Sequence, residues 1–218
     1  MRSAGILLIF CFLLGVCRAD SSDRVENLFS SGDTEAARDA LAEPPIDPED
    51  PRARYFAGML SEHDGQAKVH FRAVMKFSDS AYADDAQFEL AESVYADPRG
   101  LYVTARRKFR VFVDTFPDSP HRPLALYRMG RTFLISARGG SGQRQSQVDS
   151  ARALFREVLS RFPDAPVAHH AAVALVEADL QMGDVEAATR SRSTLPQEPA
   201  WAGEAAVYAK MGDQVIQE

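Results

Sequence analysis

Ala105-Arg-Arg-Lys-Phe-Arg-Val-Phe-Val-Asp-Thr-Phe116 places apolar side chains at 105, 109, 112, 113 and 116. That is the i, i+4, i+7, i+8 spacing that lines one face of an α-helix. Ala151, Phe155, Val158, Leu159 and Phe162 draw the same stripe. Both stripes stop at the same phrase, Phe116-Pro-Asp118 and Phe162-Pro-Asp164, and Phe77-Ser-Asp79 is a third version of it. Proline ends a helix because it has no N–H to donate and its ring collides with the preceding turn. The Asp or Ser that follows is predicted to cap the next helix.

Working outward from these three landmarks, the segments align without gaps. Nine residues after each Phe stands an alanine, Ala86, Ala125 or Ala171, and thirteen after stands Leu90, Met129 or Leu175. Ala91 and Gly130 hold the position fourteen after, where a small side chain lets two helices approach closely. Upstream, Ala105 pairs with Phe109 and Ala151 with Phe155, while Ala67 and Phe71 form a copy one residue out of register. Self-similarity of this kind is the mark of a repeat architecture in which each unit is one supersecondary element. Here the element is a pair of helices.

Weaker copies flank the three. Gly32-Asp-Thr-Glu-Ala-Ala37 and Gly183-Asp-Val-Glu-Ala-Ala188 are one turn-and-cap phrase joining a first helix to a second. Helix pairs are therefore expected at about 23–43, 51–77, 80–116, 120–162 and 166–192, with a terminal helix at about 201–211. Landmark spacings of 39 and 46 residues exceed the repeat unit of roughly 34, so two loops must be inserted. They are read at Ala96-Asp-Pro-Arg-Gly100 and at the Gly- and Ser-rich stretch 137–146. Glu43-Pro-Pro-Ile-Asp-Pro-Glu-Asp-Pro51 is a stiff acidic connector that no helix can contain.

At the N-terminus, Met1-Arg2 precedes an apolar run of eleven residues, Ile6 to Val16. The run is too short to span a bilayer core of about 30 Å as a helix and suits a signal peptide over 1–19, with the folded chain at 20–218. Two processing routes stay open. Cys17-Arg-Ala19 suits cleavage before Asp20, whereas Leu14-Gly-Val-Cys17 resembles a lipobox, in which Cys17 would be lipidated and become the new N-terminus. Both cysteines, Cys11 and Cys17, lie in the leader, so no internal disulfide is expected and burial alone must stabilise the exported chain.

Hydrophobic residues at 45% and charged ones at 26% are ordinary globular values. Beyond the leader stand 23 basic and 31 acidic residues, a balance of −8, which argues against a general nucleic-acid binder. The charge is unevenly spread. Residues 99–144 hold ten basic residues against Asp114 and Asp118, whereas 20–98 balance to −11 and 145–218 to −5. The basic patch is expected at Arg106, Arg107, Lys108, Arg110, Arg128 and Arg131, as a docking surface for an acidic segment or for anionic headgroups.

Reaction chemistry finds little support. Among His63, His70, His121, His169 and His170 none stands four residues from another, and no cysteine remains to complete a zinc set. Gly139-Gly-Ser-Gly-Gln143 lacks the Lys-Ser/Thr of a phosphate-binding loop, and no Gly-x-Ser-x-Gly elbow occurs. No catalytic residue, metal site or cofactor is assigned.

The helix pairs, with Ala-x3-Phe in the second helix, the Phe-Pro-Asp-Ser-Pro junction and the small residue in the following first helix, resemble the tetratricopeptide repeat (TPR). The resemblance implies an all-α, right-handed TPR-like superhelical solenoid of antiparallel helix pairs. Phe77-Ser-Asp-Ser-Ala-Tyr-Ala-Asp-Asp-Ala-Gln-Phe-Glu-Leu-Ala91, and Phe112 through Ala125-Leu-Tyr-Arg-Met-Gly130, are similar to the BamD family of outer-membrane assembly lipoproteins. The repeat domain of the CpoB (YbgF) proteins, partners of the Tol–Pal envelope system, is a close second. Either implies a non-catalytic periplasmic scaffold that holds other envelope proteins or their peptide segments, with outer-membrane association through Cys17. An accessory subunit of an envelope transporter or cell-wall enzyme is the alternative. In such a solenoid the first helices line the inner surface, so the equivalent positions Tyr55, Phe88, Tyr127 and Val173, followed by Glu92, Arg131 and Glu177, are expected to form a partner-binding groove.

Overall fold

The computed structural model describes residues 21–42, 47–139 and 142–193. The leader with Cys17, residues 43–46 of the connector, Gly140 and Ser141, and the helix expected at 201–211 lie outside the described residues. Every regular element among the described residues is an α-helix: α1 (21–30), α2 (Thr34–Ala42), α3 (Pro51–Met59), α4 (Asp64–Val74), α5 (Ala83–Tyr95), α6 (Tyr102–Thr115), α7 (Arg122–Arg138), α8 (Arg144–Arg161), α9 (Ala168–Gln181) and α10 (Val185–Ser193). The chain divides into two compact units, and the boundary falls inside α5, between Leu90 and Ala91.

In the first unit α2 packs on α3 and α3 on α4. One cluster buries Val25, Ala37, Phe56 and Leu60, and a second buries Phe71, Val74 and Ala86. Tyr55 and Tyr82 lean on both. In the second unit each helix from α6 to α10 packs on the next, and α7 also touches α9. Contact between alternate helices is what repeated hairpins produce, because each first helix lies beside the first helix of its neighbour.

The stripes read from the sequence are the buried faces. Ala105, Phe109, Phe112, Ala151, Phe155 and Val158 are all without measurable exposure. Gly130 shows why the small position matters: a Cβ there would stand within 3.0 Å of the Phe155 ring. Gly58 in α3 meets the Phe71 ring of α4 in the same way. In both hairpins the aromatic ring of the second helix packs directly against the glycine of the first.

The repeated Gly-Asp phrase folds identically in both places. Gly32 and Gly183 adopt φ of +85° and +71°, the left-handed conformation that closes α1 and α9 and that glycine alone takes without strain. The Asp33 and Asp184 carboxylates then accept from the backbone N–H of Ala36 at 3.1 Å and of Ala187 at 2.9 Å, capping α2 and α10.

Two local expectations are corrected. The residues after Phe77 and Phe116 do not cap the next helix through a side chain. Ser80 and Ser119 accept from the N–H of Tyr82 and His121, both at 3.2 Å, and turn the chain before α5 and α7 begin. The stretch 137–146 is also less of a loop than its composition suggests. Ala137 and Arg138 finish α7 and Arg144 starts α8, because Ala137 and Val148 are fully buried and draw the flanking turns into helix.

Candidate functional site

The side chains expected to form the groove are buried or bonded to one another far more than a free groove would require. In the first unit, Tyr55 stacks on Tyr82 at 5.2 Å between ring centroids and meets Phe56 at 5.3 Å and Phe71 at 6.0 Å. Burial, with Asp85 and Glu89 adding to it, pushes its phenol well above the ordinary range. The Tyr82 phenol is pushed up to about 12 by burial and by its bond to Glu26, whose carboxylate accepts the hydroxyl proton at 3.0 Å. Phe88 is 4% exposed and belongs to the core, a correction to its expected place in the groove.

In the second unit the charges of successive first helices alternate and satisfy each other. Arg128 of α7 donates to Glu92 of α5 at 3.0 Å, and its guanidinium lies over the Tyr95 ring at 4.7 Å. Arg131 and Arg138 of α7 both reach Glu177 of α9, Arg138 at 2.7 Å. Glu177 is 5% exposed. A carboxylate this buried needs such partners, since desolvation of an unpaired charge costs several kcal/mol. Tyr127 packs against Phe155 at 5.9 Å and His170 at 6.1 Å, and burial raises its phenol pKa. Val173 is half-buried. Arg131 and Glu177 are thus braces between helices rather than open ligands, and Tyr127, Arg128 and Val173 keep partly accessible surface beside them.

The expected basic patch separates into two kinds of residue. Arg107, Lys108 and Arg110 are exposed along α6. Arg106, Arg128 and Arg131 are engaged between helices, which corrects their assignment to an open patch. Arg106 donates to the Thr132 hydroxyl at 2.9 Å, the Thr132 carbonyl at 3.0 Å, the Ser136 hydroxyl at 2.6 Å and Gln147 at 3.2 Å. It lies over the Phe133 ring at 3.7 Å, and its burial lowers its pKa. The planar five-donor fork of arginine suits this clamp as a lysine would not.

A further brace went unread in the sequence. Arg152 of α8 donates to Asp179 of α9 at 2.8 Å, and Ser191 of α10 donates to the other carboxylate oxygen at 2.8 Å. Asp179 has no measurable exposure. Its signal was available: an acid two residues after Glu177, in a stretch, 171–180, otherwise made of alanine, valine and leucine. His169 and His170 face each other with Nε2 atoms 3.1 Å apart. No group of three metal-ligating side chains occurs among the described residues. No helix among them is long and apolar enough to cross a membrane.

Comparison with known proteins places this architecture. A family profile described as outer membrane lipoprotein, YfiO, matches residues 59–194, more than half of the chain. No curated protein matches it. Of the two resemblances drawn from the Phe landmarks, the match supports the first, the BamD type, and gives none to CpoB. It runs from the end of α3 to the end of α10 and so spans the hairpins whose first helices are braced by these ion pairs. The chain belongs to the YfiO, BamD-like family of outer membrane lipoproteins.

Proposed function

We propose that this protein is a non-catalytic scaffold at the periplasmic side of the outer membrane, exported by the apolar leader that precedes Cys17, anchored through a lipid on Cys17 and engaged in BamD-like assembly of outer-membrane proteins. Its family is one of scaffolds that act through protein–protein contacts, and the apolar leader ending at Cys17 is in keeping with a lipoprotein. One observation carries the working site. Tyr95, Tyr127, Arg128 and Val173, from three successive first helices of the second unit, are half-exposed on helices that the Glu92–Arg128 and Arg131–Glu177 pairs brace against one another. Aromatic and arginine side chains fixed in place before binding lose little conformational entropy on contact, which is how such residues come to dominate interfaces. A partner segment laid across them would be gripped by the rings and oriented by Arg128.

Photo-crosslinking in intact envelopes tests this. A photoreactive residue at Val173 or Tyr95 should capture an envelope protein, whereas one at Ser146, exposed at the start of α8, should not. Capture from Ser146 alone would overturn the assignment of the face. Metabolic labelling with a fatty-acid probe, lost in Cys17→Ser, tests the anchor separately.

A further inference from the structure

A buried hydroxyl in the middle of α7 has no part in the ion pairs that brace the first helices. Thr132 has no measurable exposure, and its hydroxyl donates to the Met129 carbonyl at 2.6 Å while accepting from Arg106 Nε at 2.9 Å. The same guanidinium bonds the Thr132 carbonyl, the Ser136 hydroxyl and Gln147, so one side chain of α6 grips both helices of the following hairpin. Farther along α6, the Val113 carbonyl accepts from Arg122 of α7 at 2.6 Å. On the first-helix side, Arg128 of α7 donates to Glu92 of α5 at 3.0 Å. Two of these three links stand on α6, about 10 Å apart at 1.5 Å of rise per residue, and the third stands on α5. Three points out of line fix one rigid body on another, whereas any two leave an axis of rotation.

The Arg106 link bears on the partner face because of what it holds. The Tyr95 ring rests on α6, with centroids 6.1 Å from Tyr102 and 6.2 Å from Phe109, the residues about one turn either side of Arg106. Any pivot of that part of α6 carries Tyr95 with it. Tyr127 and Arg128 stand across the joint, on α7. We propose that Arg106 is a positioning residue for partner binding: its fork seats the N-terminal half of α6 on α7 and α8 and so fixes the spacing of Tyr95 from Tyr127 that a bound segment must match. Two features single it out. Arginine serves several acceptors in fixed directions at once, which the single ammonium of lysine cannot do. Thr132 also sits among apolar neighbours, Met129 and Leu134, where a valine would fill the same space with no polar group to satisfy. Its hydroxyl supplies the acceptor that Arg106 uses. The proposal rests on the reading of Tyr95, Tyr127, Arg128 and Val173 as the partner face.

The test uses the full chain with Arg106→Lys, which keeps the charge and removes the fork. Spin labels at Thr104 and Ala153, both exposed, report the distance from α6 to α8 beside the Arg106 link, and labels at Asp114 and Ala153 report it toward the Arg122 link. For these measurements Cys11 and Cys17 are changed to serine. The distribution of Thr104–Ala153 distances should broaden in Arg106→Lys, while that of Asp114–Ala153 keeps its width. In intact envelopes, with Cys17 retained, photo-capture from Tyr95 should fall about 2- to 30-fold in the same variant, the range for a residue that acts on a site through another. Capture from Val173, which stands beyond the joint on α9, should be retained; general destabilisation would lower both together. Thr132→Val keeps the shape and removes one acceptor, so it should give the same split at smaller amplitude, and it serves as the test if the lysine variant does not fold. Unchanged width at Thr104, or captures from Tyr95 and Val173 that fall together or not at all, overturns the proposal. Absence of capture from the parent chain at both positions overturns the reading of the face itself, while the distance widths, which need no partner, decide separately whether Arg106 holds the joint.

Discussion

The two units solve the same packing problem with different chemistry. The first is held by rings: Phe29, Tyr55, Phe56 and Tyr82 meet at centroid distances of 5.2 to 5.8 Å, and its ion pairs lie near the surface. Arg52, for example, bonds Asp23 and Glu26, whose side chains are 57% and 39% exposed. The second unit holds its helices with buried charge, in the Arg131–Glu177–Arg138 and Arg152–Asp179–Ser191 braces. Ring contacts tolerate small rotations, since dispersion is non-directional. Buried ion pairs do not, because each charge has lost its water and depends on one geometry. A face that must present partner-binding side chains in fixed positions gains from the second solution.

This contrast can be broken or sharpened experimentally. The largest effect is expected from Arg152→Ala, which leaves the Asp179 carboxylate buried with only Ser191 as a side-chain partner, and should cost about 3–5 kcal/mol in urea denaturation followed by circular dichroism. Phe56→Ala in the first unit should cost a similar amount, about 3–5 kcal/mol, through lost burial and a cavity. Gly130→Ala should cost about 1–3 kcal/mol in the same measurement, since the new methyl displaces the Phe155 ring. Arg52→Ala, the counterpart in the first unit of Arg152→Ala, should cost no more than about 1 kcal/mol because its partners remain hydrated. Equal losses for the two arginine variants would erase the distinction between the units.

The smallest effect is one of pH. Burial, and then the positive charge of Arg54, lower the pKa of His70 in the folded chain. The unfolded chain takes up that proton at about pH 6.5, before the folded chain does. The contribution is therefore complete above about pH 6.5 and is lost as pH falls below it, and His70→Gln should flatten that acid slope. Tyr82 acts at the other extreme. Its phenol ionises near 10 when unfolded and at about 12 when folded, so its contribution is present below pH 10 and lost as pH rises through about 12. Tyr82→Phe should remove that alkaline dependence.

Legibility from sequence followed the range of the forces involved. Ala105, Phe109 and Phe112, and Ala151, Phe155 and Val158, were readable as buried faces because helical periodicity repeats within a few residues. Gly130 was readable as a close-approach position because its copies recur at a constant offset from the Phe landmarks, although its partner Phe155 was not. The groove residues were legible as positions but not in their roles. Arg131 and Glu177 stand 46 residues apart, and nothing local distinguishes an arginine that binds a partner from one that neutralises a buried acid. Arg106 was misread for the same reason: its neighbours Arg107 and Lys108 are exposed, and only the angle around α6 separates them.

By itself, then, the order of residues determined that the chain forms helical hairpins, where their glycine turns and apolar stripes lie, and that its repeats are of the TPR kind, because hydrophobic period, backbone conformation and helix caps are local properties. Tertiary structure alone decided which charges are spent inside. An ionic side chain has no preferred neighbour until folding brings another within reach. Desolvation then forces Glu177 and Asp179 to claim Arg131, Arg138 and Arg152, and it leaves Arg107, Lys108 and Arg110 facing outward.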